Sequence, residues 1–191
     1  METPQTTSIP LHRPGKLEMV SYLIQGLIVS VAISVTLETV ARNYVAIVVP
    51  GDLGYVILVS VFAPLIEEFT KVFPLLFRHA ETERSIVKLG LLAGLGFGIA
   101  EFAVYVWVLG APVAIRFPEM LFHASNAAIV AYGIAKHRFT GFYLLAVGLH
   151  FVNNFSTFFG DIWYFVGIPT FAFSYYLAWT CFSKSSDSFL K

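Results

Sequence analysis

Charge is scarce in this sequence. Only 13% of its 191 residues are Asp, Glu, Lys or Arg, and twelve basic residues balance twelve acidic ones. With no basic excess there is no electrostatic footprint for nucleic acid, and no nucleic-acid partner is expected. Cysteine is nearly absent as well. Cys181 stands alone, which excludes an internal disulfide and a cysteine-based metal site, and no histidine or aspartate pattern surrounds it to make it a nucleophile. No serine–histidine–acid set, no paired aspartates and no His-Glu-x-x-His pair occur. Gly94-x-Gly96-x-Gly98 follows no strand, so it is no dinucleotide fingerprint. The first apolar run is followed by no small-x-small cleavage site, which argues for a retained helix rather than a secretory signal.

What fills the chain is apolar: 57% hydrophobic and 16% aromatic residues, with a mean hydropathy of +0.75. A soluble domain of this length does not have that composition; a polytopic membrane protein does. The expected fold is all-α, a bundle of about six transmembrane helices. A polar, Pro-containing leader (1–16), expected to be poorly ordered, precedes a single helical membrane domain (17–183) and a polar tail (184–191). The spans read as 17–37, 54–77, 86–109, 117–135, 139–159 and 162–182. Glu38, Arg42, Pro50, Gly51 and Asp52 mark an interfacial loop after the first, with a short helix over 44–49. With the N-terminus inside, inner segments hold Arg13, Lys16, Arg78, Arg84, Lys88, Lys136, Arg138, Lys184 and Lys191, and outer ones only Arg42 and Arg116. That bias places both termini in the cytoplasm of an integral, multi-pass protein, expected in the plasma membrane of a prokaryote.

The second span carries Pro64-Leu-Ile-Glu67-Glu68-Phe-Thr-Lys71. An ionisable group in hydrocarbon costs about 2.5–3.5 kcal/mol on insertion scales, so three together need a reason. Lys71 lies four residues after Glu67 and three after Glu68, so on a helix one ammonium reaches both carboxylates. Two readings fit: a salt-bridged knot that locks helices together, or a carboxylate pair poised for general acid–base chemistry.

The other polar positions shift the balance. At 1.5 Å per residue, Glu67 lies about 15 Å from the inner boundary, Glu101 about 22 Å, His123 about 18 Å and His150 about 16 Å, so four helices bring polar groups to one depth. Glu101 shares a stripe with Gly94, Gly98 and Tyr105, and His123 precedes Ala127 and Ala131 at helical spacing, faces that let backbones approach closely. His150 and Asn154 project together, with Asn153 beside them. A lone buried histidine is more often a satisfied core residue, and a lone asparagine is usually interhelical glue. The joint occurrence favours a site. His12, His79 and His137 lie in leader or loops and are read as solvated.

The chemistry available to this set is hydrolysis. A Glu67/Glu68 pair can deprotonate water and return the proton to a leaving amine. Histidine and asparagine donors can stabilise an oxyanion. At these residues the chain resembles the PrsW family of intramembrane proteases, within the superfamily that includes the CAAX prenyl proteases. The family's Glu-Glu-x-x-Lys stands as Glu67-Glu68-Phe-Thr-Lys71, and its Gly-Phe-x-x-x-Glu as Gly96-Phe97-Gly-Ile-Ala-Glu101. The first histidine helix appears as Phe122-His123-Ala-Ser, and His-x-x-x-Asn as His150-Phe-Val-Asn153-Asn154. The resemblance spans residues 60–160. Phe102 and Ala127 stand where members often carry Asn and Thr, and Glu101 stands where prenyl proteases carry His.

The resemblance implies cleavage of membrane-embedded or membrane-adjacent peptides, with the lipid bilayer and a membrane protein or peptide as partners. Glu67 is the expected base, Glu68 its partner, and Lys71 the electrostatic tuner. Glu101 and His123 would position water or substrate, and His150 with Asn154 would form the oxyanion site. Rival readings are a scaffold or immunity-type binding protein without turnover, and a proton-coupled transporter. The transporter is disfavoured by the lack of an internal repeat. No cofactor is expected. Glu101, His123 and His150 could supply a zinc set, but no short ligand spacing preorganises it. The amide at Asn154 suits oxyanion donation better than zinc, and Lys71 would repel a dication.

Overall fold

From Lys16 to Val48 the chain is one unbroken helix, α1. This corrects the loop read at Glu38 and Arg42: between Leu17 and Val49 the only helix breaker is Gly26, and the first strong stop is Pro50-Gly51. At 33 residues the helix is about 50 Å long against a hydrocarbon core of roughly 30 Å, so it tilts or projects beyond it. The computed structural model describes residues 12–78 and 81–187; His79, most of the leader and the last residues of the tail lie outside the described residues.

Five further helical segments follow. The second, α2, covers residues 52–77 and changes character along its length: a π-helical turn at Leu58–Phe62, a regular helix at Ala63–Val72 and a 3₁₀ turn at Phe73–Phe77 around Pro74. Then come α3 (Glu83–Val108), α4 (Val113–Ala135), α5 (Phe139–Phe159) and α6 (Ile162–Lys184). Thr82 caps α3, its hydroxyl accepting from the Ser85 amide. Gly110 and Gly160 supply the positive φ of the turns before α4 and α6. Among the described residues, four of the six helices, α1, α3, α5 and α6, are long and apolar enough to cross a membrane. The other two, α2 and α4, carry the polar load.

Small residues set the closest packing. A Cβ on Gly94 would stand 2.4 Å from the His123 carbonyl oxygen and 2.5 Å from Ala127 Cβ, so the α3 and α4 backbones touch beside His123. The stripe through Glu101 thus packs as its spacing predicts. On the opposite side of α3, a Cβ on Gly26 of α1 would fall 1.8 Å from the Ala93 carbonyl oxygen. Gly94→Val must therefore push α4 outward. We expect a stability loss of about 1–3 kcal/mol together with lost activity, because the displaced turn is the one that carries His123; thermal unfolding in detergent beside an activity assay checks it.

One end of the bundle gathers the cations. Lys136 Nζ lies 2.5 Å from Glu83 Oε1, Arg84 Nη1 lies 3.1 Å from Asp187 Oδ2, and Arg78 pairs with both Glu18 and Glu81. His12, read as solvated, is half exposed but sits 2.7 Å from Glu18, which draws the end of the leader onto the bundle. Above this end lies the main apolar core, with Val72, Leu75, Ile86, Leu89, Ala93, Val130 and Ala131 all but sealed from solvent. Large apolar side chains such as Val40, Ile47, Phe165 and Trp179 point outward, as a lipid-facing surface requires.

Candidate active site

On α2 the helical spacing does what the sequence requires. Lys71 Nζ lies 2.9 Å from Glu68 Oε1 and 3.6 Å from Glu67 Oε2. The side chains of Glu68 and Lys71 are 0% exposed and that of Glu67 is 9% exposed. Two hydroxyls pin this turn to α1: Ser30 donates to the Thr70 carbonyl at 2.8 Å, and Ser34 shares a 2.6 Å hydrogen bond with the Thr70 hydroxyl. From α4, His123 brings Nδ1 to 2.7 Å from the Lys71 ammonium. An ammonium only donates, so Nδ1 accepts and the ring proton is assigned to Nε2. Beside that nitrogen stands Glu101 of α3, its Oε2 at 2.5 Å.

His150 of α5 takes the complementary tautomer. Its Nδ1 lies 2.8 Å from Glu68 Oε1, a carboxylate oxygen that must accept, so Nε2 is left as a bare lone pair 4.0 Å from Glu67 Oε2. The two imidazole rings stand edge to face, 5.2 Å apart. Glu68 is thereby the hub, with one oxygen shared between an ammonium and an imidazole. Glu67 is different: its Oε2 is buried and has no hydrogen-bond partner among the described residues.

Asn154 is placed by a defect in α2. In the π-helical turn the Ala63 amide bonds to the Leu58 carbonyl, so the Val59 carbonyl would next be met by residue 64. Residue 64 is proline and has no N–H. The Asn154 side-chain amide fills the gap, donating to Val59 at 3.0 Å. Asn153 accepts from Trp163 Nε1 at 3.1 Å and donates to Asn154 Oδ1 at 3.2 Å. The Tyr143 hydroxyl adds a second tie from α5 to α2 through the Leu65 carbonyl at 2.7 Å.

Glu67, Glu101, His150 and Asn154 line one cavity of about 520 Å³, while Glu68, Lys71 and His123 stand behind its wall. All seven residues singled out from the sequence thus gather in one place. The cavity has further lining that the sequence did not point to: Glu38 and Arg42 from α1, and Arg116 and Glu119 from α4. Arg116 pairs with Glu119 and lies 3.2 Å over the Tyr105 ring. The available signal was spacing: Glu38 and Arg42 are four apart in a stretch with no breaker, and Arg116 and Glu119 are three apart at a helix start.

Glu67, His123 and His150 each offer a ligand atom within 4.8 Å of the others. The trio differs from the zinc set considered from sequence, because Glu101 sits at the far nitrogen of His123 and Glu67 takes its place. One carboxylate and two imidazoles suit a zinc-type ion. A carboxylate at the far nitrogen of each ring and the orphaned Glu67 Oε2 fit it too. In this structure the Lys71 ammonium is the cation at that point, 2.7 Å from His123 Nδ1.

Fold and site together define a helical membrane protein with a buried carboxylate–imidazole centre open to a polar cavity. The model of the PrsW family, described as intramembrane metalloproteases, matches residues 16–180, and the chain belongs to that family. Curated proteins and solved structures give no match.

Proposed function

We propose that this protein hydrolyses peptide bonds of membrane-embedded or membrane-adjacent substrates with a water activated by Glu67. The observation that supports this most is Oε2 of Glu67, a buried carboxylate oxygen on the wall of the 520 Å³ cavity that makes no hydrogen bond among the described residues, its contact with Lys71 being 3.6 Å long. Leaving such a group unpaired is costly unless a ligand completes it. A water there would reach Glu67 Oε2 and the bare Nε2 of His150 together. Glu67 takes the proton as the water attacks the carbonyl carbon, and returns it to the leaving amine.

The remaining roles follow from the contacts. Glu68 fixes the His150 tautomer and anchors Lys71, whose ammonium offsets the charge of the carboxylate pair. Glu101 orients His123. Because His150 presents an acceptor, the oxyanion donation expected of His150 and Asn154 together falls to Asn154, through the amide hydrogen not used on Val59. This departs from the shared oxyanion role expected of His150.

The cation-rich end is proposed to be cytoplasmic on the positive-inside bias, so the cavity, with Arg42 and Arg116, opens toward the outer half of the membrane. Substrate would then be met at or above mid-membrane on the outer side.

A second reading is favoured by the convergence of Glu67, His123 and His150. An ion held by these three would supply a Lewis acid and a bound water of lowered pKa. The test uses protein purified without a polyhistidine tag, stripped with a chelator and assayed on membrane peptides in proteoliposomes. The glutamate reading predicts undiminished cleavage after stripping. Activity lost on stripping and restored by zinc, with stoichiometric zinc in the purified protein, would make the three residues ligands.

A further inference from the structure

We propose that Glu38 is a specificity residue that receives a lysine or arginine side chain of the substrate; this rests on the peptidase reading. Four carboxylates line the catalytic cavity, those of Glu38, Glu67, Glu101 and Glu119, against two guanidiniums, those of Arg42 and Arg116. Three of the four are engaged: Glu67 with Lys71, Glu101 with His123 and Glu119 with Arg116. Glu38 alone is not. Among the described residues it makes no hydrogen bond and no ion pair, although it sits in a helix whose neighbouring turns expose Val35, Leu37 and Val40 to lipid.

Its nearest candidate partner on the same helix is Arg42. A glutamate four residues before an arginine is the favourable order for a helical ion pair, yet the two do not come within ion-pair range and both line the cavity. Glu38 lines the same cavity as Glu67, Glu101 and His150, so a cation bound to it would share that cavity with the reacting centre. An anion there would meet the excess of carboxylates. Intramembrane carboxylates are rare because they are costly, and one kept unpaired on a substrate cavity marks a ligand of opposite charge.

The surroundings give that substrate a second property. An apolar groove of about 430 Å³ between the outer half of α1 and the start of α2, lined by Val45, Ala46, Val49 and Gly54, joins the cavity through Arg42, Tyr55 and Leu58, which line both. A peptide with an apolar stretch followed by a basic residue near the scissile bond would fill the groove and reach Glu38 at once.

The test uses membrane peptides of one sequence that differ only in Lys, Met or Glu at the residues flanking the cleaved bond, presented in proteoliposomes. Wild type should favour the Lys over the Met peptide by about tenfold in kcat/KM, mainly through KM, as expected for a charged hydrogen bond. Glu38→Gln should bring the ratio close to one, and Glu38→Lys should turn the preference toward Glu. A Lys preference that survives Glu38→Gln overturns the proposal. Binding supplies a readout that needs no turnover: fluorescent Lys and Glu peptides are titrated against monodisperse Glu67→Gln protein with and without Glu38→Gln. Tighter binding of the Lys peptide that vanishes with Glu38→Gln supports the assignment even if wild type cleaves nothing, an outcome that would sink only the peptidase reading. Equal affinities for the two peptides overturn it.

Discussion

Glu67→Gln should lower kcat/KM on a membrane peptide by about a hundredfold to ten-thousandfold, the usual weight of a general base, and leave the protein folded. The amide keeps the shape of the carboxylate and loses only its capacity to take a proton. Structurally little depends on Glu67: among the described residues its Oε2 has no hydrogen-bond partner, and its 3.6 Å contact with Lys71 is secondary to the 2.9 Å bond from Lys71 to Glu68. Gel filtration and a thermal melt in detergent, run beside the assay, separate the two readings of the Glu-Glu-x-x-Lys cluster. A variant that loses activity and monodispersity together would favour the salt-bridged knot.

Its neighbour should behave in the opposite way. Glu68 is fully buried and one of its oxygens accepts from both Lys71 and His150, at 2.9 and 2.8 Å. Glu68→Ala leaves a buried ammonium with Glu67 as its nearest remaining carboxylate, and an imidazole N–H with no acceptor. Removing one partner of a buried ion pair costs about 3–5 kcal/mol, so this variant should unfold at markedly lower temperature or fail to purify as a monodisperse species. Two adjacent glutamates would then divide the labour, one holding the site and one doing its chemistry. A Glu68→Ala protein that melts with wild type contradicts that division.

Much of this was legible in the sequence because membranes punish polar groups. Glu67, Glu68, Lys71, Glu101, His123, His150 and Asn154 stood out against apolar runs, and depth counting brought four helices to one level, where the structure joins them within hydrogen-bond range. The stripe of Gly94 and Gly98 announced the α3–α4 contact through its spacing. What stayed hidden had physical causes. The charges of Glu38 and Arg42 look interfacial along the sequence, and only the helix that carries them past the boundary turns them into cavity lining. Which carboxylate converges with both imidazoles is a matter of rotation about each helix axis, and spacing along one chain does not encode it. Hence Glu67 rather than Glu101 faces both rings. The hydrogen bond from Asn154 to Val59 depends on a π-helical turn meeting Pro64, a coincidence that no periodicity reveals.

The most direct test is cleavage of a membrane-peptide library by purified protein in proteoliposomes made with water enriched in heavy oxygen, with products read by mass spectrometry. Hydrolysis at Glu67 predicts paired fragments whose new carboxyl terminus carries one heavy oxygen from water, and none from the Glu67→Gln protein. Folded, monodisperse wild-type protein that yields no labelled fragment from any peptide in the library, with or without added zinc, would contradict the peptidase reading and favour a scaffold that keeps the fold without turnover.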